Sequence, residues 1–248
     1  MRDDGLTPAL VLPEDEALEL LTHGQLAIEG RLLDSSNATF YCGVSLEGIQ
    51  AACVYKPIAG ERPLWDFPDG TLAEREVAAH AVSVASGWDI VPPTVLRDGP
   101  AGTGMVQLWI DVDETVDLGE LIGRRHDPEL QRVAVLDAVI NNADRKGGHL
   151  LPTPQGHLYG IDHGVTFNVD EKLRTVLWQW AGDPLDEDAV DTLLRVRSAL
   201  GGPLGEQLAE LLTVREIRRT QRRVDRLLGS ATYPNPPEDR RAIPWPPF

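Results

Sequence analysis

Lysine is scarce in this chain of 248 residues. Of its 23 basic side chains only Lys56, Lys146 and Lys172 are lysines, and the rest are arginines. Such a bias suggests that lysine is kept where a compact, flexible point charge is wanted, which directs attention to those three positions. Cysteine is scarcer still. Cys42 and Cys53 lie in apolar, strand-like surroundings without metal-ligand spacing, and they read as buried free thiols. No window approaches the run of roughly 18 apolar residues that a membrane span requires. The opening MRDDGLTPALVLPEDEAL carries acid where a secretion signal carries base. The expectation is a cytoplasmic protein with no membrane span.

Net positive charge is also lacking. The formal charge is −16, whereas nucleic-acid and anionic-lipid binders present Lys and Arg to phosphates. Neither partner is expected. The one dense basic stretch is Arg215, Arg218, Arg219, Arg222, Arg223 and Arg226. Its spacing reads as the solvated side of a helix whose apolar positions include Ile217, Val224 and Leu227.

What is present has an ordered layout. Residues 14–23 read as a short helix with an acidic first turn. From about 25 to 58, LAIEGRLL, ATFYCGVSL and IQAACVYKP read as a three-strand meander. After a Pro/Gly-rich loop, Thr71 and Glu74 fit a capping box opening a helix over about 72–86. VPPTVLRDGPAGTGMVQLWID reads as two more strands. Beyond Asp111 the character turns helical, with apolar residues at 130, 133, 136 and 140, then a polar loop, a short hairpin closed by PTPQG, and helices at about 186–200, 204–212 and 214–228. This order predicts an α+β fold with an N-lobe over 1–110, a mainly helical C-lobe over 111–232 and a Pro-rich tail over 233–248.

Three separated pieces carry chemistry. Lys56 ends an apolar strand. In NNADRKGGHLL, Asp144, Lys146 and His149 stand at relative positions 0, +2 and +5, and Gly147 and Gly148 let the backbone turn between them. YGIDHGVTF ends a strand in Asp162-His163-Gly164. If the PTPQG hairpin forms, residues before its first arm and after its second share one end, so His149 and Asp162 become neighbours with Asp144 nearby. His157 falls at the opposite, turn end.

The loop resembles the catalytic loop of protein kinases, which has Asp, Lys and Asn at 0, +2 and +5, and Asp162-His163-Gly164 resembles their metal-binding Asp-Phe-Gly. More narrowly, VYKP, REVAAH, NADRKGGH and GIDHG resemble the bacterial branch of phosphatidylinositol 3-/4-kinase-like proteins. GERPLWDFPDGTLAEREVAAH, VPPTVLRDGPAGTGMVQLWID and KLRTVLWQWAG resemble an actinobacterial family of that branch, over roughly residues 25–180. The resemblance implies a two-lobed kinase-like fold with ATP and Mg²⁺ or Mn²⁺ as cofactors. It implies that Lys56 contacts the α/β-phosphates with Glu76 as its helix partner, Glu74 being taken by the capping box. Ser35, Ser36 and Asn37, in a loop lacking the kinase glycines, would cover the phosphates. Gln107, Leu108, Trp109, Ile110 and Asp111 would form the hinge that meets adenine. Asp144, with Lys146, would be catalytic, and Asp162 and His149 would be metal ligands. His149 stands where kinases have Asn.

The expected activity is transfer of the γ-phosphate of ATP to an acceptor hydroxyl, on a protein or small polar metabolite before an inositol lipid. AMP transfer remains open. The alternatives are a nucleotide-binding pseudokinase acting as a regulatory partner, which His149 favours, and a metal-dependent hydrolase built on His149, His157, His163, Asp144 and Asp162. The hydrolase reading leaves Lys56 unexplained.

Overall fold

A computed structural model describes residues 12–32 and 37–248, and these divide into two compact units. The first runs to Val77 and adds Pro92–Asp111; the second comprises Ala78–Val91 and Val112–Phe248.

The first unit opens with α1 (Glu14–His23), followed by β1 (Gln25–Leu32), β2 (Thr39–Leu46) and β3 (Ile49–Pro57); after the start of α2 (Leu72–Ser86) come β4 (Thr94–Gly99) and β5 (Gly102–Leu108). All neighbouring strands are antiparallel, in the order β1-β2-β3-β5-β4. Alternation along the strands decides what is buried. Cys42 and Val44 of β2 and Cys53 and Tyr55 of β3 face Ala17, Leu20 and Leu21 of α1, forming one apolar cluster with Leu12 and Val106. Cys42 stands opposite Cys53 across the ladder. Burial pushes the two thiols up to about 11 and about 12, so both are protonated and inert at neutral pH. The same period of two turns Lys56, between Tyr55 and Pro57, to the other face of β3.

The start of α2 departs from the sequence expectation. No capping box forms between Thr71 and Glu74. Thr71 Oγ1 donates to Pro68 O at 2.8 Å, and the N–H groups of Leu72 and Ala73 donate to the two carboxylate oxygens of Glu61, at 3.1 and 2.9 Å. A short 3₁₀ turn, Ile58–Gly60, delivers Glu61 to that place. A carboxylate answers two orphan N–H groups at once and sits at the positive end of the helix dipole, so it displaces the neutral hydroxyl. A capping box forms instead at Thr213 and Glu216, opening α7 (Val214–Ser230).

The second unit contains the remainder of α2, then α3 (Leu118–Ile122), α4 (Pro128–Ile140), the hairpin of β6 (Leu150–Pro152) and β7 (Leu158–Gly160), and α5 (Glu187–Leu200), α6 (Pro203–Ala209) and α7 (Val214–Ser230). Asp127 caps α4 by accepting from Glu129 N and Leu130 N, with Pro128 in the first turn. From Val133 to Ile140 every residue of α4 is buried, so this helix runs through the core rather than along its edge. Around it pack the buried residues of α2, α5, α6 and α7, including Val82, Leu193, Leu208 and Val224. Among the arginines of α7, Arg215, Arg218, Arg222 and Arg226 are exposed as expected. Arg223 is not: it is 2% exposed and donates from Nη2 to Asn168 O. It shares the inward stripe with Ile217, Thr220, Val224 and Leu227.

Another buried polar side chain, His80 of α2, has its titration pushed down to about 4 by burial. The native state therefore holds a neutral imidazole where the unfolded chain takes up a proton near pH 6.5. Stability that is complete above pH 6.5 should fall as the pH drops to 4, by about 3 kcal/mol from this group alone. Urea unfolding of wild type and His80→Gln at pH 7 and pH 4 will check this. The variant should lose less stability on acidification; equal losses would remove His80 as a source of acid sensitivity.

Candidate active site

In the first unit, Lys56 Nζ donates to Glu76 Oε1 at 2.7 Å. The lysine side chain is 21% exposed and the glutamate 2%. Glu76, not Glu74, is thus the partner that α2 offers, as its position about 200° further around the helix allows. Asn37 Oδ1 accepts from Arg62 N at 2.9 Å, and Ala38 N donates to Gly60 O, so this stretch is tied to the turn after β3. Ser35 and Ser36 lie outside the described residues. In the expected hinge, Gln107 points inward and donates from Nε2 to Thr94 Oγ1, and the ring of Trp109 meets that of Tyr41 edge-on. The N–H of Leu108 is taken by Pro93 O and that of Trp109 by Ala52 O. Two of the backbone donors of the expected hinge are therefore already engaged within the first unit.

In the second unit the hairpin forms in the register Leu150↔Gly160. Ile161 N donates to His149 O across its base, and His149 Nε2 stands 3.4 Å from Asp162 Oδ2. His157, at the turn end, is engaged elsewhere, with Nδ1 3.2 Å from Glu129 Oε2 and Nε2 2.9 Å from Asp89 O. Asp144 Oδ2 lies 3.3 Å from Lys146 Nζ, and Oδ1 lies 3.8 Å from Arg174 Nη2. Two cations thus flank the loop carboxylate.

Beneath the loop lies a pair that motif reading missed. Asp137, on buried α4, accepts from Arg145 twice, Nη2 to Oδ1 and Nε to Oδ2, each at 2.9 Å. Both side chains are fully buried. Asn142 Nδ2 adds a third bond to Asp137 Oδ1, while Asn142 Oδ1 accepts from Asp144 N. Nη1 donates to Ile161 O at 2.9 Å, and Nη2 also donates to His163 Nε2 at 2.6 Å. Since arginine only donates, His163 Nε2 is the acceptor and its ring proton sits on Nδ1. One guanidinium thereby ties α4, the loop carrying Asp144 and the strand end carrying Asp162. The legible signal was Asp137 itself, one acid within the apolar run RVAVLDAVI.

A backbone ladder completes the frame. Ala143 N donates to Val165 O, Arg174 N to Asn142 O, Arg145 N to Arg174 O and Val176 N to Arg145 O. Asn141 ends α4 in the left-handed region, and its side chain bonds Asn168 O, Asp170 O and Lys172 N. Asp162 also has positive φ, 62°.

Asp162 and His149 fit a divalent cation. A carboxylate oxygen and an imidazole nitrogen 3.4 Å apart are close to the spacing of roughly 3 Å expected for adjacent donors on an ion with bonds of about 2.1 Å. Burial holds the His149 ring below the usual histidine range, opposed by Asp162, so it is a neutral donor at neutral pH. Its Nδ1 is buried without a hydrogen-bond partner. Among the described residues no third His, Cys, Asp or Glu joins them in a metal cluster.

No protein-family model matches the chain. Protein Rv2133c of Mycobacterium tuberculosis is 44% identical, over 97% of this chain and 98% of its own length. The chain belongs to the Rv2133c family. Phosphatidylinositol 4-kinase gamma 4 of Oryza sativa subsp. japonica is 33% identical over 45% of this chain, which spans 22% of that protein. The crystal structure of the Helicobacter pylori proinflammatory kinase CtkA superposes with a TM-score of 0.50 at 10% identity, covering 86% of this chain and 94% of that one. At that identity the likeness speaks for the fold, which is kinase-like. Among the described residues no helix is long and apolar enough to cross a membrane.

The Asp137–Arg145 pair yields a stability prediction. Arg145→Met leaves a buried carboxylate without its counter-charge and should cost about 3–5 kcal/mol, whereas Asp137→Leu/Arg145→Met removes both charges and should cost much less. Urea unfolding of the two variants measures the difference, and a double variant as unstable as the single one would refute it.

Proposed function

We propose that the chain is an ATP-dependent phosphotransferase that moves the γ-phosphate to an acceptor hydroxyl, with a protein or small polar metabolite favoured over an inositol lipid. The observation that carries this reading is the 2.7 Å Lys56–Glu76 pair, from a strand lysine to a buried helix glutamate. Its counterpart in protein kinases must be in place for activity. The kinase-like fold and the weaker similarity to a phosphatidylinositol 4-kinase support it.

In this reading Lys56 neutralises the α/β-phosphates while Glu76 holds its ammonium in place. Asp162 and His149 would hold Mg²⁺ or Mn²⁺, which when bound neutralises charge on the phosphates. Asp144 orients the acceptor hydroxyl and takes its proton as the new O–P bond forms and the bond from the γ-phosphorus to the leaving ADP oxygen breaks. Lys146 and Arg174, which flank Asp144, offset charge developing nearby. The segment from Gln107 to Asp111 would meet adenine through backbone groups other than the N–H of Leu108 and of Trp109. The net charge of −16 disfavours docking on anionic lipid.

His149 at the usual Asn position favours a second reading, a nucleotide-binding pseudokinase. Incubation with ATP labelled at the γ- or the α-phosphate separates the cases. Label moving from the γ-position means phosphoryl transfer, from the α-position AMP transfer, and bound nucleotide without transfer means a pseudokinase.

The residues should separate by role. Lys56→Ala should weaken ATP binding in calorimetry while leaving the fold intact. Asp162→Ala should abolish metal-dependent nucleotide binding. Asp144→Ala should keep nucleotide but lose transfer by about 10²-fold. Equal loss of binding in the two aspartate variants would contradict the assignment. An imidazole ranks Mn²⁺ above Mg²⁺ where an amide oxygen suits Mg²⁺. His149→Asn should therefore shift the preference toward Mg²⁺ in direct metal titrations, and His157→Asn should not. Identical preference in wild type and His149→Asn would take His149 out of the metal site.

A further inference from the structure

The Pro-rich segment after α7 runs back along the second unit to the loop that carries Asp144. Ala231 ends α7 in the left-handed conformation, and Tyr233 and Asp183 begin the return, Tyr233 N donating to Asp183 O and Gly182 N to Tyr233 O. Further on, Ala242 O accepts two bonds, from Thr175 N at 3.1 Å and from the indole Nε1 of Trp178 at 3.0 Å. Pro247 O then accepts from Gly147 N at 2.8 Å. Gly147 is buried, and the ring of Phe248 lies against it. A Cβ at residue 147 would stand 2.3 Å from Phe248 Cε1, 2.5 Å from Phe248 Cδ1 and 2.8 Å from Ile122 Cδ1. Glycine here answers close packing, since its φ is not positive.

The two anchor points bracket the loop. Ala242 holds Thr175, next to Arg174, whose backbone carbonyl accepts from Arg145 N and whose Nε donates to Ala143 O at 2.6 Å. Pro247 and Phe248 hold Gly147, midway between Asp144 and His149. The contact leaves the working side chains open: Asp144 is 27% exposed and Asp162 50%. A cover placed to inhibit would bury those carboxylates; this one grips the backbone behind them.

We propose that residues 242–248 are a clasp that positions the loop from Asp144 to His149 for transfer, with Phe248 as the positioning residue and Gly147 as its seat. As part of the transfer mechanism, the clasp rests on the phosphotransferase reading. The physical ground is that the loop's two glycines leave its backbone free to move, and misplacing a reacting group by about 1 Å costs on the order of 10²-fold.

The test uses the full chain as wild type, Phe248→Ala, Phe248→Leu, Gly147→Ala and Gly147→Ala/Phe248→Ala, with two readouts. The first is hydrogen exchange of the 144–149 amides, which needs no activity. It should rise about tenfold in Phe248→Ala and in Gly147→Ala, with the rest of the second unit unchanged. The second is ATP turnover followed as ADP release. There kcat should fall between about 10- and 100-fold with KM for ATP within about twofold, and Phe248→Leu should recover most of the loss. Because both substitutions break one contact, the double variant should be no worse than either single one. Unchanged exchange in Phe248→Ala overturns the clasp. So do losses that add in the double variant, or faster exchange with wild-type kcat. If wild type turns over no ATP, the phosphotransferase reading fails, and with it the clasp's part in transfer. The exchange data then decide only whether the segment holds the loop.

Discussion

Asp137 and Arg145 meet in a place with no water to share their charge. Ion pairs so enclosed do little for net stability compared with apolar residues of the same volume, but losing one partner is severe. The return is geometric. A guanidinium has five N–H groups fixed in one plane, and here they are divided among Asp137 of α4, the carbonyls of Ile161 and His149, and the ring of His163. The loop bearing Asp144 and the strand end bearing Asp162 therefore inherit their positions from one rigid fork seated on a core helix.

Around that fork the backbone makes three non-glycine excursions into the left-handed region, at Asn141, Asp162 and Phe167. Each costs on the order of 1 kcal/mol and persists only where its surroundings over-determine it. Asn141 is held by three side-chain bonds, and Phe167 by complete burial and its N–H to Ile140 O. Asp162 leaves the hairpin with its carboxylate turned toward His149 rather than into the core. Such corners let a short stretch of chain present unlike groups to one point.

Much of this could be read from residue order because it is periodic or local. The helix at 14–23 declared itself through an acidic first turn and α4 through apolar spacing, and the turn PTPQG was enough to bring His149 to Asp162. What escaped was long-range or carried by the main chain. Asp137 drew no reading because α4 is buried all round from Val133 to Ile140, which leaves no solvent face to set it against. Arg223 hid among arginines of the same helix that do face solvent. Glu61 caps α2 from 11 and 12 residues upstream, so a sequence window centred on the helix start favours the nearby Thr71. Ala242 and Pro247 make their bonds through carbonyl oxygens, which every residue type possesses.

Glu61 also has a geometric consequence for the connection between β3 and α2. A cap sets the phase of a helix as well as its end, and each residue of slip turns a helix by about 100°. Adding or removing one residue between the capped N–H groups of Leu72 and Ala73 and Glu76 would swing Glu76 off the bearing of Lys56, even if both strand and helix survived. The connection before the helix is itself tied down, by buried Phe67 beneath the Arg75 guanidinium and by Gly70 at positive φ, so the distance that sets the bearing of Glu76 is counted along the helix from its cap.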